Sequence, residues 1–251
     1  MSLLEKGLYS PALKAFLHAL EKRDPLLIEE LWQTPKAFLA ALAQKVTGSH
    51  LLIITSHSEE EGGLFHDLQF FTDSKCIDFP SWETLPNENI PPSPDIVGDR
   101  YRTLEVLLTE KTPQIILTNL QACLQKVLPP QRLKQLHVSV AKGAVIDFEG
   151  LVMQLDQMGY TRTPIVADKG EYAVRGGIID VYSVAAPEPF RIEFWGDEVE
   201  SIRLFDPIGQ RTIRPVEMFS IPPAQELEML NSGEDLATIL DYLGNDTIVI
   251  F

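Results

Sequence analysis

The chain has 251 residues and carries 36 acidic against 21 basic side chains, a formal net charge of −15. The length suggests one large or two modest domains, the hydrophobic content of 45% is ordinary for a folded protein, and the excess of carboxylates argues against a broad nucleic-acid surface. No apolar run approaches the roughly 20 residues that span a bilayer, and the first residues lack the pattern of a signal peptide, so no membrane contact is expected.

Helical patterns cover the first 46 residues. Ser10–Pro11 and Thr34–Pro35 each place a capping residue before a proline, which is favoured at the first helical position. Apolar residues follow each pair at spacings of three and four, which predicts two amphipathic helices. Gly48 is predicted to end the second helix.

Short apolar strands then alternate with helices up to about residue 135. The predicted strands are Leu51–Ile54, Cys76–Phe79 and Gln114–Thr118. The predicted helices are Leu64–Phe71 and Asp95–Leu108, with a further helix after Asn119. Wholly apolar strands separated by helices are typical of a parallel sheet that is buried on both faces, so this region is predicted to be an α/β layer.

From about residue 138 the pattern changes to a helix followed by antiparallel hairpins. The predicted elements are a helix at Phe148–Met158, strands on either side of Gly176–Gly177, and the strands Phe190–Trp195 and Glu198–Phe205 around the turn Gly196–Asp197. The tail is predicted to form a helix at Leu236–Leu243 and a strand at Thr247–Phe251 that pairs with the first sheet. The sequence thus predicts an α/β domain (residues 1–137 and 225–251) into which an α+β domain (138–224) is inserted, in a piece of a longer protein.

The loop after the first predicted strand, Thr55–Gly63, is where a parallel sheet would carry a phosphate-binding loop. The loop has no Gly-Lys-Ser/Thr, and the carboxylates of Glu59–Glu61 would repel a triphosphate. We therefore expect an acidic helix start rather than a nucleotide site. The histidines are scattered and no Ser, His and Asp signature is present, so we predict no metal, no cofactor and no catalytic residue in this chain.

The two cysteines, Cys76 and Cys123, are too few for a disulfide framework. They are interpreted as small core residues of a cytoplasmic protein. Cys76 lies in a predicted buried strand without a cationic neighbour, so we do not expect it to be a nucleophile.

The strand Phe190–Trp195 alternates strictly between apolar residues and a second set, Arg191, Glu193 and Trp195, which is predicted to share the outer face. Arg and Trp are both enriched at binding hot spots, so this face is a candidate interface. The alternative is that Trp195 covers the end of the hairpin and Arg191 pairs with Glu193 or Glu200. The pattern alone leaves both interpretations open.

Two long strings in this region resemble a known family. Residues 170–182 (GEYAVRGGIIDVY) and 189–207 (PFRIEFWGDEVESIRLFDP) are similar to the UvrA-binding domain shared by UvrB and the transcription-repair coupling factor. Residues 81–86 (SWETLP) and Gln210–Thr212 look like the coupling factor rather than UvrB. The resemblance covers most of the chain from about Leu51 to Glu226, and also the tail segment Leu240–Leu243.

The resemblance implies a fold and a function. The fold would be a degenerate P-loop-type parallel sheet domain with an inserted α+β domain of antiparallel hairpins. The chain would be the N-terminal UvrB-like module of the coupling factor, a non-catalytic module that recruits UvrA to RNA polymerase stalled at damaged DNA. RNA polymerase and DNA would be bound only by other parts of the full-length protein, where an ATP-driven motor would also lie.

The resemblance also implies site residues. In the family, two arginines and an aromatic residue of the matching strings contact UvrA, and the corresponding positions are Arg175, Arg191 and Trp195. Trp195 stands where the family pattern has phenylalanine. UvrB also grips damaged DNA with an aromatic hairpin, but the matching stretch Asn87–Asp95 is short and has no aromatic residue, so no such grip is expected.

Two other functions remain open at this point. One is an active UvrB-like, nucleotide-dependent DNA repair helicase fragment, for which the loop Thr55–Gly63 is the discriminating feature. The other is a direct DNA-binding domain, against which the negative charge argues.

Overall fold

A computed structural model describes residues 3–32, 34–56, 58–84, 90–225 and 236–251, without the side chains of residues 58–62. The chain divides into two compact units. The first comprises Met1–Ser81, Glu105–Gln125 and Leu240–Phe251, and the second comprises Trp82–Leu104 and Lys126–Ile239. Residues 138–224 lie wholly within the second unit, while the domain boundaries drawn from the sequence remain predictions.

A four-stranded parallel sheet forms the centre of the first unit. Its strands are β1 (Leu51–Thr55), β2 (Cys76–Phe79), β3 (Ile115–Asn119) and β12 (Ile248–Ile250), in the order β12-β1-β3-β2. The helices of this unit are α1 (Leu3–Leu8), α2 (Lys14–Lys22), α3 (Thr34–Thr47), α4 (Ser58–Phe71) and α6 (Leu120–Leu124). The three predicted strands are present, and β12 pairs in parallel with β1 as expected. The predicted burial holds for β1 and β3 but not for β2, in which only Phe79 is buried and Cys76 is partly exposed.

The core of the first unit combines small side chains from α3 with large ones from the sheet. Ala37, Ala40 and Ala41 are buried in one cluster with Leu51 and Ile115. Small residues allow a helix to approach its neighbours closely, so the alanine-rich face of α3 suits this packing. The proline at residue 11 starts a 3-10 turn, Pro11–Leu13, rather than the predicted helix itself, which begins at Lys14.

The second unit contains a six-stranded sheet. Its strands are β5 (Thr161–Arg162), β6 (Glu171–Arg175), β7 (Ile178–Val181), β8 (Phe190–Trp195), β9 (Glu198–Phe205) and β10 (Thr212–Pro215), in the order β10-β9-β8-β7-β6-β5. All neighbours are antiparallel except β5 and β6. A separate antiparallel pair is formed by β4 (Val138–Ala141) and β11 (Met218–Ile221).

Three further helices complete the description: α5 (Pro94–Thr109), α7 (Pro130–Leu136) and α8 (Phe148–Gln157). The ring of Phe148 on α8 contacts the ring of Phe194 on β8 edge to face, with centroids 5.1 Å apart. Because Phe194 belongs to the buried set of β8, α8 lies on the apolar face of the six-stranded sheet. None of the helices within the described ranges has the length and apolarity needed to span a membrane.

The predicted turn at Gly196–Asp197 is present, and the predicted break at Gly176–Gly177 is also a two-residue turn. Gly176–Gly177 joins β6 to β7, and Gly196–Asp197 joins β8 to β9. Gly176 has a φ of +60°, which side chains rarely adopt, and a Cβ on Gly177 would lie 2.9 Å from the carbonyl oxygen of Phe194. These glycines therefore let the two hairpin ends lie side by side.

The predicted helix at Leu236–Leu243 is wrong for the described residues. Only a 3-10 turn, Ile239–Tyr242, forms there. Ala237 instead makes a two-way backbone bridge with Val127. The bridge satisfies the backbone groups of Ala237 within the second unit, so that residue does not join a helix.

Candidate protein-interaction site

The six-stranded sheet brings the three predicted site residues onto one face. Asp180 and Arg191 are partners in the register of β7 and β8, as are Arg175 and Ile178 at the end of β6 and β7. Side chains two residues apart share a face, so Arg175, Asp180, Arg191, Glu193 and Trp195 point the same way. We call these five residues the arginine face.

Asp180 is the centre of the arginine face. Its Oδ1 accepts a hydrogen bond from Nε of Arg191 at 2.7 Å, and its Oδ2 accepts from Nη2 of Arg191 at 2.8 Å and from Nη2 of Arg175 at 2.5 Å. The side chain of Asp180 is 1% exposed, against 18% for Arg191 and 48% for Arg175. Two guanidinium groups thus cover one buried carboxylate.

Arg191 is held by two further groups. Its Nη2 donates to Oε1 of Gln210 at 3.1 Å, and its Cζ lies 4.6 Å from the ring centroid of Phe205. Hydrogen bonding to Asp180 raises the pKa of the Arg191 guanidinium above its ordinary value. Arg191 is therefore permanently charged and fixed in one orientation.

Arg191 pairs with neither of the acidic residues proposed from the sequence. Its partner is Asp180, because the register of β7 and β8 places the two opposite each other. Glu193 instead accepts hydrogen bonds from Arg203 and, at 2.7 Å, from the hydroxyl of Ser201. Trp195 is 80% exposed, so it does not cover the end of the hairpin. Both parts of the alternative interpretation are wrong.

The group of Arg175, Asp180 and Arg191 within the arginine face has a surplus of positive charge and of hydrogen-bond donors. Asp180 balances one of the two arginines that it binds. Among the described residues, no acceptor is bound to Nη1 of Arg191 or to Nε and Nη1 of Arg175. Each of these N–H groups can donate a charge-assisted hydrogen bond to a carboxylate oxygen, so the face that also carries the exposed ring of Trp195 can receive an acidic side chain.

Sequence reasoning missed two residues that belong to this site. Asp180 lies in the string 170–182. The alternation of residues within one strand does not show which residue of a neighbouring strand lies opposite Asp180. Gln210 lies in the left-handed region, with φ of 55°, in a turn that closes between Asp206 and Arg211. A non-glycine residue held there by its surroundings is a sign of a constrained position, but only the structure shows that its side chain reaches Arg191.

The connection after β1 is shorter than the predicted loop Thr55–Gly63, because the next helix begins earlier than expected. β1 ends at Thr55 and α4 begins at Ser58, so only residues 56 and 57 join them. A loop that cradles phosphates needs several residues between strand and helix, and two are too few. Glu59–Glu61 belong to the first turns of α4, as expected for an acidic helix start, but their side chains lie outside the described residues, as does His57.

Polar groups at the carboxyl end of the parallel sheet are engaged within the protein. Asn119 caps α6 by accepting from the backbone N–H of Ala122 at 2.9 Å, and its Nδ2 donates to Ser81. Thr55 donates its hydroxyl hydrogen to the carbonyl oxygen of Thr118. No cluster of His, Cys, Asp or Glu suited to a metal ion occurs in the part of the chain that the structure describes. Residues 85–89 lie outside the described residues, so the described part of the stretch Asn87–Asp95 begins at residue 90.

Comparison with known proteins places the site within a named domain. Residues 138–227 match the family model of the UvrB interaction domain. The chain is also 34% identical over 191 residues to the transcription-repair-coupling factor of Mycobacterium bovis, 31% over 188 residues to that of Escherichia coli and 34% over 197 residues to that of Staphylococcus aureus.

These alignments cover between 73% and 77% of this chain but only 15–17% of each relative. The chain thus spans a small part of the length of the curated relatives that it matches. All three residues of the predicted site lie within the matched domain. The chain is therefore a homologue of the transcription-repair-coupling factors, a family of DNA repair proteins, and contains a UvrB interaction domain over residues 138–227.

Proposed function

We propose that this chain is the UvrB-like, N-terminal module of a transcription-repair-coupling factor and that it recruits UvrA to RNA polymerase stalled at damaged DNA. The observation that carries this proposal is the arginine face, which lies inside the matched UvrB interaction domain. The module would bind its partner without catalysing a reaction. Its fold would be a degenerate P-loop-type domain, without a nucleotide or other cofactor, that carries an inserted UvrA-binding domain.

Binding would combine charge pairing with one aromatic anchor. Arg175 and Arg191 would donate to carboxylates of UvrA, while Trp195 would fill a pocket at the centre of the interface. A large ring that is 80% exposed can bury most of its surface on binding, and desolvation would strengthen the neighbouring arginine–carboxylate bonds. This division of roles is that of a typical hot spot, in which a few Arg and Trp residues supply most of the binding energy.

The other functions of the family would lie outside this chain. RNA polymerase, DNA and the ATP of the motor would be bound by other parts of the full-length, cytoplasmic protein. The net charge of −15 supports this division, because a chain with so many carboxylates repels a phosphate backbone.

The test is a calorimetric titration of UvrA with the parent chain and with Arg175→Ala, Arg191→Ala and Trp195→Ala. We expect each of the latter two to weaken binding by about 1–3 kcal/mol, roughly 5- to 150-fold. Arg191→Lys should also weaken binding, because an ammonium group cannot reproduce the paired donors of the guanidinium. Normal affinity in both Arg191→Ala and Trp195→Ala would show that the site is elsewhere.

Two matched controls separate binding from general surface effects. Trp32 is as exposed as Trp195, at 80%, but belongs to the first unit. Arg162 is exposed on the edge strand β5, where its register partner is the buried Tyr172 and not a residue of the arginine face. Trp32→Ala and Arg162→Ala should bind UvrA like the parent chain.

The alternative is an active UvrB-like helicase fragment that binds a nucleotide. The two-residue connection between β1 and α4 argues against it, because phosphate oxygens would find no cradle of backbone N–H groups there. Titration of the chain with ATP and Mg²⁺ tests this alternative directly. Measurable binding that is lost on replacing Gly62 or Gly63 would support the helicase fragment and contradict the non-catalytic module.

A further inference from the structure

Asp180 lies beneath the two arginines rather than beside them. Its carboxylate accepts three N–H groups, at 2.5, 2.7 and 2.8 Å, and its side chain is 1% exposed. A partner protein therefore cannot reach this carboxylate while the arginines remain in place. Any effect of Asp180 on a partner must act through Arg175 and Arg191.

The guanidinium group of Arg191 is held by hydrogen bonds along one edge and by a ring that lies against its flat side. Nε and Nη2, which form one edge of the group, are bound to Asp180, and Nη2 is also bound to Gln210. The plane rests on the ring of Phe205. Gln210 is itself anchored, because its Nε2 donates to the carbonyl oxygens of Pro207 at 2.8 Å and of Val166 at 3.4 Å. The Nη1 edge is the part of Arg191 without an acceptor among the described residues.

We infer that Asp180, supported by Gln210, is a positioning residue that holds Arg191 and Arg175 as a preformed receptor for a carboxylate side chain of UvrA. This inference rests on the proposed function and adds the residue that prepares the site. An arginine side chain has many rotamers, and one that is ordered before binding loses less conformational entropy when the partner arrives. The complex should therefore last longer when Asp180 is present.

Simple charge counting predicts the opposite result, which makes the inference testable. Replacing Asp180 by asparagine removes one negative charge from beneath the arginines and should increase the attraction of the face for an acidic partner. Long-range attraction acts mainly on the association rate, whereas ordering of the contact residues acts mainly on the dissociation rate. The two effects can be separated by measuring both rates.

The experiment measures association and dissociation of the full chain on immobilised UvrA. We expect Asp180→Asn to raise the dissociation rate about tenfold and to leave the association rate unchanged or slightly higher. In a background that already carries Arg175→Ala and Arg191→Ala, the same substitution should change the dissociation rate less than about twofold, since the residues through which it acts are gone. An increase in that background as large as in the parent would show that Asp180 does not act through the two arginines, and would overturn the inference.

The matched control is Asp156→Asn. Asp156 is an exposed carboxylate of the same unit that also accepts a side-chain hydrogen bond, from the hydroxyl of Tyr172 at 2.7 Å, and it lies on α8, away from the arginine face. This variant should have the dissociation rate of the parent. An equal increase in both variants would mean that any lost carboxylate loosens the domain, and would overturn the inference.

A second variant decides the question if Asp180→Asn does not fold. Gln210→Gly removes one of the two acceptors of Nη2 of Arg191, leaves Asp180 in place, and suits the positive φ at this position. It should raise the dissociation rate about threefold, and an unchanged rate would overturn the inference. Failure of the parent chain to bind UvrA would overturn the proposed function together with this inference. Weak binding by Arg191→Ala beside an unchanged rate in Asp180→Asn would overturn the inference alone.

Discussion

The parallel sheet of the first unit and the six-stranded sheet of the second use their strands in opposite ways. Four of the five residues of β1 and all five of β3 are buried, so apart from the partly exposed Ile54 these strands present no side chains to a partner. In β8, buried and accessible residues alternate along the strand. A parallel sheet covered on both faces offers a ligand only its edge, whereas a sheet covered on one face offers a whole surface.

The difference shows where a module of this kind can carry a binding function. At the edge of the parallel sheet, the described polar groups of Thr55 and Asn119 are used in hydrogen bonds within the protein. On the arginine face, donors of Arg175 and Arg191 remain unused among the described residues. The same chain therefore combines a sheet that stabilises the fold with a sheet that is available for recognition.

The largest expected effect is on the free energy of unfolding, when buried side chains of the two sheets are truncated and compared with an exposed one. Leu51→Ala and Leu52→Ala, which truncate opposite faces of β1, should each lower the free energy of unfolding by about 2–5 kcal/mol, because both side chains are fully buried. Ile192→Ala in β8 should have a similar effect, while Trp195→Ala should change stability by less than about 0.5 kcal/mol. Urea denaturation followed by circular dichroism measures all four. A small effect at Leu52 would contradict the double-sided burial of β1.

The next largest effect is the loss of stability when either of two ion pairs on the outer face of the six-stranded sheet is broken. Asp180→Asn should lower the free energy of unfolding by about 1–3 kcal/mol, because a buried carboxylate that binds two arginines is lost. Glu193→Gln should change it by less than about 1 kcal/mol, because Glu193 and Arg203 are each about one-third exposed and water screens their attraction. Thermal unfolding of both variants gives the comparison. Equal losses would show that burial does not distinguish the two pairs.

A smaller effect is expected in alkaline solution. Tyr172 is buried on the inner side of the six-stranded sheet, and desolvation together with its hydrogen bond to Asp156 raises its pKa to about 12. The unfolded chain loses this proton near the ordinary value of 10.0, so the contribution of the hydroxyl to stability is complete below that pH and is lost as the pH rises toward 12.

The measurement for this prediction is the free energy of unfolding between pH 9 and about pH 12 for the parent and for Tyr172→Phe. The difference between the two proteins should shrink or reverse in favour of the variant as the pH rises, because phenylalanine has no proton to lose. A constant difference across this range would mean that the hydroxyl of Tyr172 titrates alike in both states.

The smallest effect concerns Cys76 in the parallel sheet. Burial raises the pKa of its thiol to about 11 from an ordinary value of 9.0. Only the thiolate reacts with iodoacetamide, so at pH 8 alkylation should be roughly 100-fold slower than that of a free thiol and should still be increasing at pH 10. Mass spectrometry of the modified peptide measures this rate. A rate that levels off near pH 9 would show that the thiol is accessible to water.

Much of the fold could be predicted because the relevant signals are local. The apolar strands of the first sheet and the glycine turns at Gly176–Gly177 and Gly196–Asp197 depend on residues that are adjacent in the chain. The prediction of a helix in the tail was wrong because Ala237 pairs with Val127, more than 100 residues earlier. No local sequence pattern predicts such a bridge. Residues 226–235, which would complete that comparison, lie outside the description.

The candidate site was predicted in part for the same reason. Alternation within β8 correctly put Arg191 and Trp195 on one outer face, since the side-chain period of a strand is two residues. The partner of Arg191 could not be derived, because the connection between β7 and β8 is long and leaves their register free. Once the register places Asp180 opposite Arg191, the buried ion pair follows.

The sequence by itself therefore determined the order of the elements, the face of β8 that would be exposed and the resemblance to a family of DNA repair proteins. Only the tertiary structure decided which carboxylate Arg191 binds, that Arg175 shares it, and that Trp195 stays exposed at 80%. The physical reason is one of range. Propensity and alternation act over neighbouring residues, whereas a buried carboxylate and its two arginines are brought together by strand register across three strands.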